Sequence, residues 1–285
     1  MTIFKNPAWL KAFQFPFESF DQIPQHVFDD INSCLDKNKS ETPLVSILIP
    51  AWNEEVNILR CVASLSKLES NVPFEIIVIN NNSTDRTQDT INRLHVKRLF
   101  EARQGPGPAR QTGQENALGD YILLADADCI YPSCWLTEMM KVLQKPGVVC
   151  VYGRYSFISG AGFSRWQLAL LEKLKDVMTE IRHIKRPFLN AYGLNFGYIR
   201  AHGLKIGFIT NNVRGEDGRL CYQLMKYGKV KQVRSNKSRP WTGTRTLQRD
   251  GSFWKAFLIR IARELGRFNI YFNRRMTQDP DTSKS

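Results

Sequence analysis

The chain has 285 residues, 42% of them hydrophobic, and a formal net charge of +13 at pH 7. That length can bury a full-sized core, as one large domain or one domain with appendages, and no run of about 18 apolar residues offers a membrane span. Six cysteines form no C-x-x-C pair and four histidines show no metal-ligand spacing, which argues against a disulfide scaffold or a zinc module and for a reduced, cytoplasmic protein. The basic excess calls for an anionic partner: nucleic acid, anionic lipid or a phosphorylated substrate. Nucleic acid is disfavoured, because no RNA-binding aromatic signature, zinc finger or glycine-rich basic tail accompanies the charge. Residues Met1 to Leu10 contain no apolar h-region, so no secretory signal is expected.

Residues 1–41 read as an aromatic-rich lead-in. Phe13, Phe15, Phe17 and Phe20 are expected to pack on the main domain, followed by a short helix with Val27, Ile31 and Leu35 on one face. Pro43 to Pro50 reads as a first buried strand, with Asn53 as candidate cap of the next helix and Val56, Leu59, Val62 and Leu65 as its buried stripe. A second strand, Glu75 to Ile79, runs into Asn80-Asn81-Asn82-Ser83-Thr84-Asp85, where Ser83 or Thr84 is a plausible cap. A short strand near 96–100 precedes Gly105-Pro-Gly-Pro-Ala-Arg110, which opens a helix. A helix near 133–144 and a strand at 148–152 complete an alternation of strand and helix, the pattern of a mostly parallel sheet covered on both faces. Beyond residue 160 a long helix is expected over 163–183, with Trp166, Leu170, Leu174, Val177 and Ile181 inward, and another opens at Gly215-Glu216-Asp217.

One segment stands out. Tyr121-Ile-Leu-Leu-Ala-Asp126-Ala-Asp128 is an apolar strand that ends in two carboxylates one residue apart. In open α/β sheets ligands collect beyond the carboxyl ends of the strands, so Asp126 and Asp128 sit where a ligand binds. Two hard oxygen donors suit a cation that keeps several waters and bridges substrate phosphates, Mg²⁺ or Mn²⁺.

Taken in order, the motifs resemble glycosyltransferase family 2. They are Val45-Ser-Ile-Leu-Ile-Pro-Ala-Trp-Asn-Glu-Glu55, Ile76-Ile-Val-Ile-Asn-Asn-Asn-Ser-Thr-Asp85, Gly107-Pro-Ala-Arg-Gln-Thr-Gly113, Gly119 to Asp128, Gly193-Leu-Asn195 and Gly215-Glu-Asp217. The resemblance implies a single glycosyltransferase-A domain, α/β with a mostly parallel mixed sheet and helices on both faces, over residues 42–240. It implies metal ligation by Asp128 and Asp126, and contacts to the nucleotide from Pro50, Ala51, Asn53, Glu54, Asn81, Arg110, Asp126 and Ala127. Gly193, Asn195 and Glu216 fall near the donor sugar or acceptor, and Asp217, with Glu216 beside it, becomes the general base. Arg245 and Arg249, like Arg110, are candidates for the diphosphate. Two departures concern the nucleotide end: Asn80 and Asn81 stand where the family usually carries an aspartate, and Gln111 replaces a commoner asparagine.

Residues 241–276 read as a basic amphipathic helical extension and 277–285 as a disordered tail. Such a helix either packs on its own domain or lies in a membrane interface. The expected activity is inverting transfer from a nucleotide-diphosphate sugar, a UDP-sugar by preference, to a hydroxyl of a glycan or lipid-linked acceptor. The enzyme would be hexosyl- or N-acetylhexosaminyl-transferring, cytoplasmic or peripheral on the inner membrane face, as in polysaccharide or cell-envelope biosynthesis. The alternatives are a catalytically silent nucleotide-binding scaffold of the same fold, and a metal-dependent nucleotidyltransferase.

Overall fold

The computed structural model describes residues 4–160, 162–209 and 215–248, with 253–255, 258, 259 and 262. After two 3₁₀ turns, Ala8–Phe13 and Phe20–Gln22, the elements follow as α1 (Gln25–Asn38), β1 (Val45–Ala51), α2 (Asn57–Leu65), β2 (Phe74–Asn80), α3 (Thr87–Asn92) and β3 (Lys97–Phe100). Next come α4 (Pro106–Glu115), β4 (Tyr121–Leu124), β5 (Cys129–Ile130), α5 (Trp135–Leu143), β6 (Val148–Gly153), β7 (Ser156–Phe157) and α6 (Arg165–Lys185). The described chain continues with β8 (Phe196–Ile199), α7 (Arg200–Ile206), α8 (Glu216–Leu224), β9 (Lys229–Val233), β10 (Trp241–Thr242) and α9 (Arg245–Gln248).

Seven strands form one mixed sheet in the order β3-β2-β1-β4-β8-β6-β9. All neighbours run parallel except β8, which is antiparallel to both β4 and β6. Strand alternation sends successive side chains to opposite faces. Ile47, Ile49, Val78 and Leu123 join a core with α1, α2 and α5, whereas Leu48, Ile77, Ile79, Ile122 and Leu124 join one with α4 and α8. Both faces are covered, which is why β1, β2 and β4 are unbroken apolar runs. Phe13, Phe15, Phe17 and Phe20 of the lead-in pack against the first core.

A second sheet, β5-β10-β7, is built from strands of two residues each. It places the segment just after Asp128 beside the segment just before Arg245, because Thr242 pairs with Cys129. This small sheet brings Arg245 to the Asp128 turn.

Three local expectations need correction. Asn53 does not cap α2, which begins at Asn57; it sits at φ 54° and its side chain binds Thr84 instead. Neither Ser83 nor Thr84 caps α3, since Asp85 Oδ1 accepts from the Thr87 N–H at 2.9 Å. In α6 the expected inward stripe is turned around: Trp166, Leu170 and Val177 are exposed, while Leu168, Ala169 and Leu171 are buried. The buried face also holds the Arg165–Glu172 ion pair at 2.6 Å. Paired charges can enter a core that excludes single ones, so the polarity pattern of α6 misstates its orientation. Most of the expected helical extension at 241–276, and the tail at 277–285, lie outside the described residues; Phe253 is buried against Leu168, Leu171 and Leu247.

Candidate active site

At the carboxyl ends of β1, β2 and β4 the chain forms an open cavity of about 410 Å³. Its lining includes Pro50, Ala51, Glu54, Asn81, Arg110, Asp126, Ala127, Asp128 and Arg245. The sequence motifs from five separate segments therefore meet in one place, of the size that small-ligand clefts have. Trp52, half exposed, and Gln104, Gly105 and Pro106 also line it. Trp52 escaped the sequence reading, although a lone aromatic directly beyond a buried strand is a usable signal for a base-stacking face.

The Asp126–Asp128 turn is tied from below. Ala125 N–H donates to Leu48 O, continuing the β1–β4 ladder, and Cys129 N–H donates to Asp126 O at 3.1 Å. The buried Tyr131 hydroxyl accepts from the Asp126 N–H at 2.9 Å and donates to Leu194 O at 3.0 Å. Burial, with Asp126 and Glu54 alongside, pushes the Asp128 carboxyl up to about 6. Burial likewise raises Asp126, against the pull of Arg110. Three carboxylates gathered in this way favour a cation. Arg245 supplies one: its Nη2 lies 2.6 Å from Glu54 Oε1 and 3.4 Å from Asp128 Oδ2.

Among the described residues no three side chains of His, Cys, Asp or Glu converge as a closed metal cage. A Mg²⁺ or Mn²⁺ site that borrows ligands from substrate phosphates and water needs only one or two carboxylates, and Asp126 and Asp128 fit that donor set.

The second half of the site is built around Arg110. Its side chain is almost fully buried, with Nη1 at 2.7 Å from both Glu216 Oε1 and Asp217 Oδ1 and Nη2 at 3.1 Å from Asp126 Oδ1. One guanidinium thus joins the Asp-Ala-Asp turn to the N-terminus of α8. The planar fork of arginine suits this, where a lysine would offer a point charge. The three acids hold the Arg110 guanidinium charged against the cost of its burial. Asp217 also accepts from the Gly193 N–H at 2.8 Å. Burial nevertheless raises its carboxyl well above the ordinary range, Arg110 pulling it down and Glu216 pushing it up.

Glycine recurs where backbone and guanidinium crowd. A Cβ at Gly193 would run into the Arg110 guanidinium, and one at Gly107 into Ile209 O. Gly215, at φ 106°, starts α8 from the left-handed region that glycine enters without strain.

Other expected residues serve as framework here. Asn195 is buried away from the cavity: its Oδ1 accepts from Trp135 Nε1 at 2.8 Å and its Nδ2 donates to Arg154 O and Ser238 O. Asn81 lines the cavity, but its Nδ2 donates to Glu101 O and Arg103 O while its Oδ1 accepts from the Gly105 N–H at 2.7 Å. Asn80 bonds Gln88 and Ser83. The Gln111 Oε1 accepts from the Phe208 N–H at 2.8 Å, so the departure from asparagine is used to tie α4 to the chain beyond α7. Asn53 does not line the cavity, and Arg249 lies outside the described residues.

The family model for glycosyl transferase family 2 matches residues 46–204. The chain belongs to that family. An uncharacterized glycosyltransferase of Haemophilus influenzae is 31% identical over 144 residues, which are 48% of this chain and 56% of that protein. The chain thus spans about half the length of such relatives. Two solved structures share the glycosyltransferase-A fold. Residues 1–349 of S. aureus TarS in complex with UDP align with a TM-score of 0.56 at 17% identity, over 70% of this chain and 60% of that one. The Pyrobaculum calidifontis mannosyltransferase PcManGT, in complex with GDP-Man and Mn²⁺, gives 0.56 at 15% identity, over 84% and 76%. This chain shares their α/β architecture.

Proposed function

We propose that the protein moves a sugar from a nucleotide-diphosphate sugar, a UDP-sugar by preference, to a hydroxyl of a glycan or lipid-linked acceptor, with inversion at the anomeric carbon. The observation that carries this reading is the Arg110 bridge, which couples a pair of acids suited to a divalent cation with a buried carboxylate suited to a base. The TarS and PcManGT complexes with UDP and with GDP-Man and Mn²⁺ support it.

Transfer makes two demands. The leaving diphosphate gains negative charge, and the attacking hydroxyl must lose its proton. Asp126 and Asp128 are the residues that would hold Mn²⁺ or Mg²⁺, which when bound supplies Lewis-acid stabilisation of the departing oxygen. Arg245 is more than half exposed and stands at the same wall, so it is the side chain best able to turn toward a diphosphate. Preorganised charge at the point where charge develops is commonly the largest catalytic contribution. Trp52 offers an aromatic face for the base, and Ala51 and Glu54 the edge of the nucleoside pocket.

Asp217 takes the hydroxyl proton as the acceptor oxygen attacks the anomeric carbon. The bond from that carbon to the diphosphate oxygen breaks, and its electron pair leaves with the nucleotide. Burial suits Asp217 to this, because a base with a raised pKa accepts a proton more readily near neutral pH. Arg110 and the Gly193 N–H orient the carboxylate.

The test is turnover of the Asp217→Asn variant. Loss of about 10²–10⁴-fold in kcat, with nucleotide binding retained, is the expected result. Joint loss of turnover and nucleotide binding would contradict the assigned role.

A further inference from the structure

We propose that the outward face of α6, with Trp254 beside it, is a docking surface for an anionic lipid bilayer. The six exposed residues of α6 are Trp166, Leu170, Lys173, Val177, Ile184 and Lys185. Every one is apolar or a lysine. From residue 166 to residue 184 they mark a stripe about 27 Å long at the rise of an α-helix. Single exposed apolar residues are ordinary on a protein surface, but a contiguous row of them marks an interaction site.

Charge decides the kind of partner. Two of the three acids of α6 turn inward onto arginines, Glu172 onto Arg165 and Asp176 onto Arg239 and Arg154, while Glu180, whose side chain is 39% exposed, is paired with Arg234 and Arg154. Each carboxylate of the helix is thus matched by at least one arginine, and the exposed charged residues of the face are lysines, in a chain whose net charge is +13. Tryptophan prefers the bilayer interface, and lysine stems lie along apolar surface while the ammonium reaches the headgroups. Trp254, 55% exposed, extends the patch at the N-terminal end of the stripe. Trp166 and Trp254 both pack against Phe253, with ring centroids at 6.5 and 5.2 Å.

The surface is joined to the active site through packed structure. Phe253, Leu168 and Leu171 share a cluster with Phe157 and Leu247. Phe157 pairs with Thr242 across β7 and β10, and Leu247 lies two residues beyond Arg245, which touches Asp128. A bilayer seated on α6 therefore lies on the same portion of the molecule as the catalytic wall. Given the sugar-transfer reading, on which this last step rests, the acceptor hydroxyl is one presented at a lipid surface.

Flotation of the full chain with vesicles tests the surface. Phosphatidylglycerol mixed with phosphatidylcholine is compared with phosphatidylcholine alone, for the native chain and for the triple variant Trp166→Ala, Leu170→Glu, Val177→Glu. The native chain should partition onto the mixed vesicles at least about 10-fold better than onto the neutral ones, and the variant should lose about 10-fold or more. Lys173→Glu should cost several-fold by itself. The melting temperature and its rise with UDP and Mn²⁺, read in parallel, should match between native and triple-variant chains. No partitioning of the native chain, or equal partitioning of both chains, overturns the proposal. A native dimer that the same substitutions turn into a monomer overturns it too, by assigning the stripe to a second copy. Vesicle binding without a nucleotide effect would uphold the surface and sink the sugar-transfer reading.

Discussion

Arg110 and Gly193 define each other. The guanidinium occupies the space that any side chain at 193 would need, and the Gly193 N–H holds the carboxylate that the guanidinium also grips. A methyl group there must push Arg110 off Asp217, Glu216 or Asp126. Displacement of about 1 Å in a catalytic constellation is enough for roughly 100-fold in rate. Gly193→Ala is therefore expected to lower kcat by about that factor while shifting the melting temperature only slightly, as steady-state kinetics beside a thermal melt would read. Unchanged kcat would show that the bridge tolerates rearrangement. The carboxylates of this site were legible in the sequence, because acids that follow an apolar strand or open a helix stand out. The role of Gly193 was not: a glycine excluded by an arginine 83 positions away leaves no local mark. Asn195 illustrates the reverse, a motif residue whose amide is consumed by Trp135, Arg154 and Ser238.

Among elements, β1, β2 and β4 were plain in the sequence because both of their faces are buried. The two-residue strands β5, β7 and β10 were not, since two residues carry no period, yet they bring Arg245 to Asp128. Helix α6 was found but turned the wrong way round, because a buried Arg165–Glu172 pair reads as a solvent face. The β4 strand is the element on which both halves of the site depend. Leu124 is fully buried between β1 and β8, one residue before the turn that leads into Asp126. Leu124→Ala removes its packing on the α4 and α8 side, and truncations of this kind cost about 2–5 kcal/mol. Urea unfolding should show that loss as a lower midpoint at unchanged slope. A loss below about 1 kcal/mol would mean the sheet repacks freely there.

For the molecule as a whole, the site opposes folding when no ligand is bound. Asp128 is raised to about 6, so its folded form holds a proton more tightly than the unfolded chain does. A raised acid adds a penalty above its folded pKa and none below its unfolded value near 4, so stability falls as pH rises from about 4 through 6. Solvent reaches part of this side chain, which discounts the effect to about 1–2 kcal/mol. Asp128→Asn should then raise the melting temperature of the nucleotide-free protein by about 2–6 °C at pH 7.5, and by little at pH 4.5. An equal effect at both pH values would exclude the carboxylate as its source. Stability given up at a binding site and recovered on binding is a common trade in enzymes.

That recovery supplies the most direct test of the central claim, which is that the cavity at Asp126, Asp128, Arg110 and Arg245 takes a nucleoside diphosphate with a divalent cation. The measurement is the melting temperature of the native chain with UDP, GDP, CDP and dTDP, each with and without Mn²⁺. A ligand that binds only the folded state raises it in proportion to occupancy, by the equivalent of about 2.7 kcal/mol at a hundred-fold excess over Kd. The expected result is a rise with UDP that needs Mn²⁺ and is absent in Asp128→Asn. No rise with any of the four nucleotides, or a rise indifferent to both Mn²⁺ and Asp128, would contradict it.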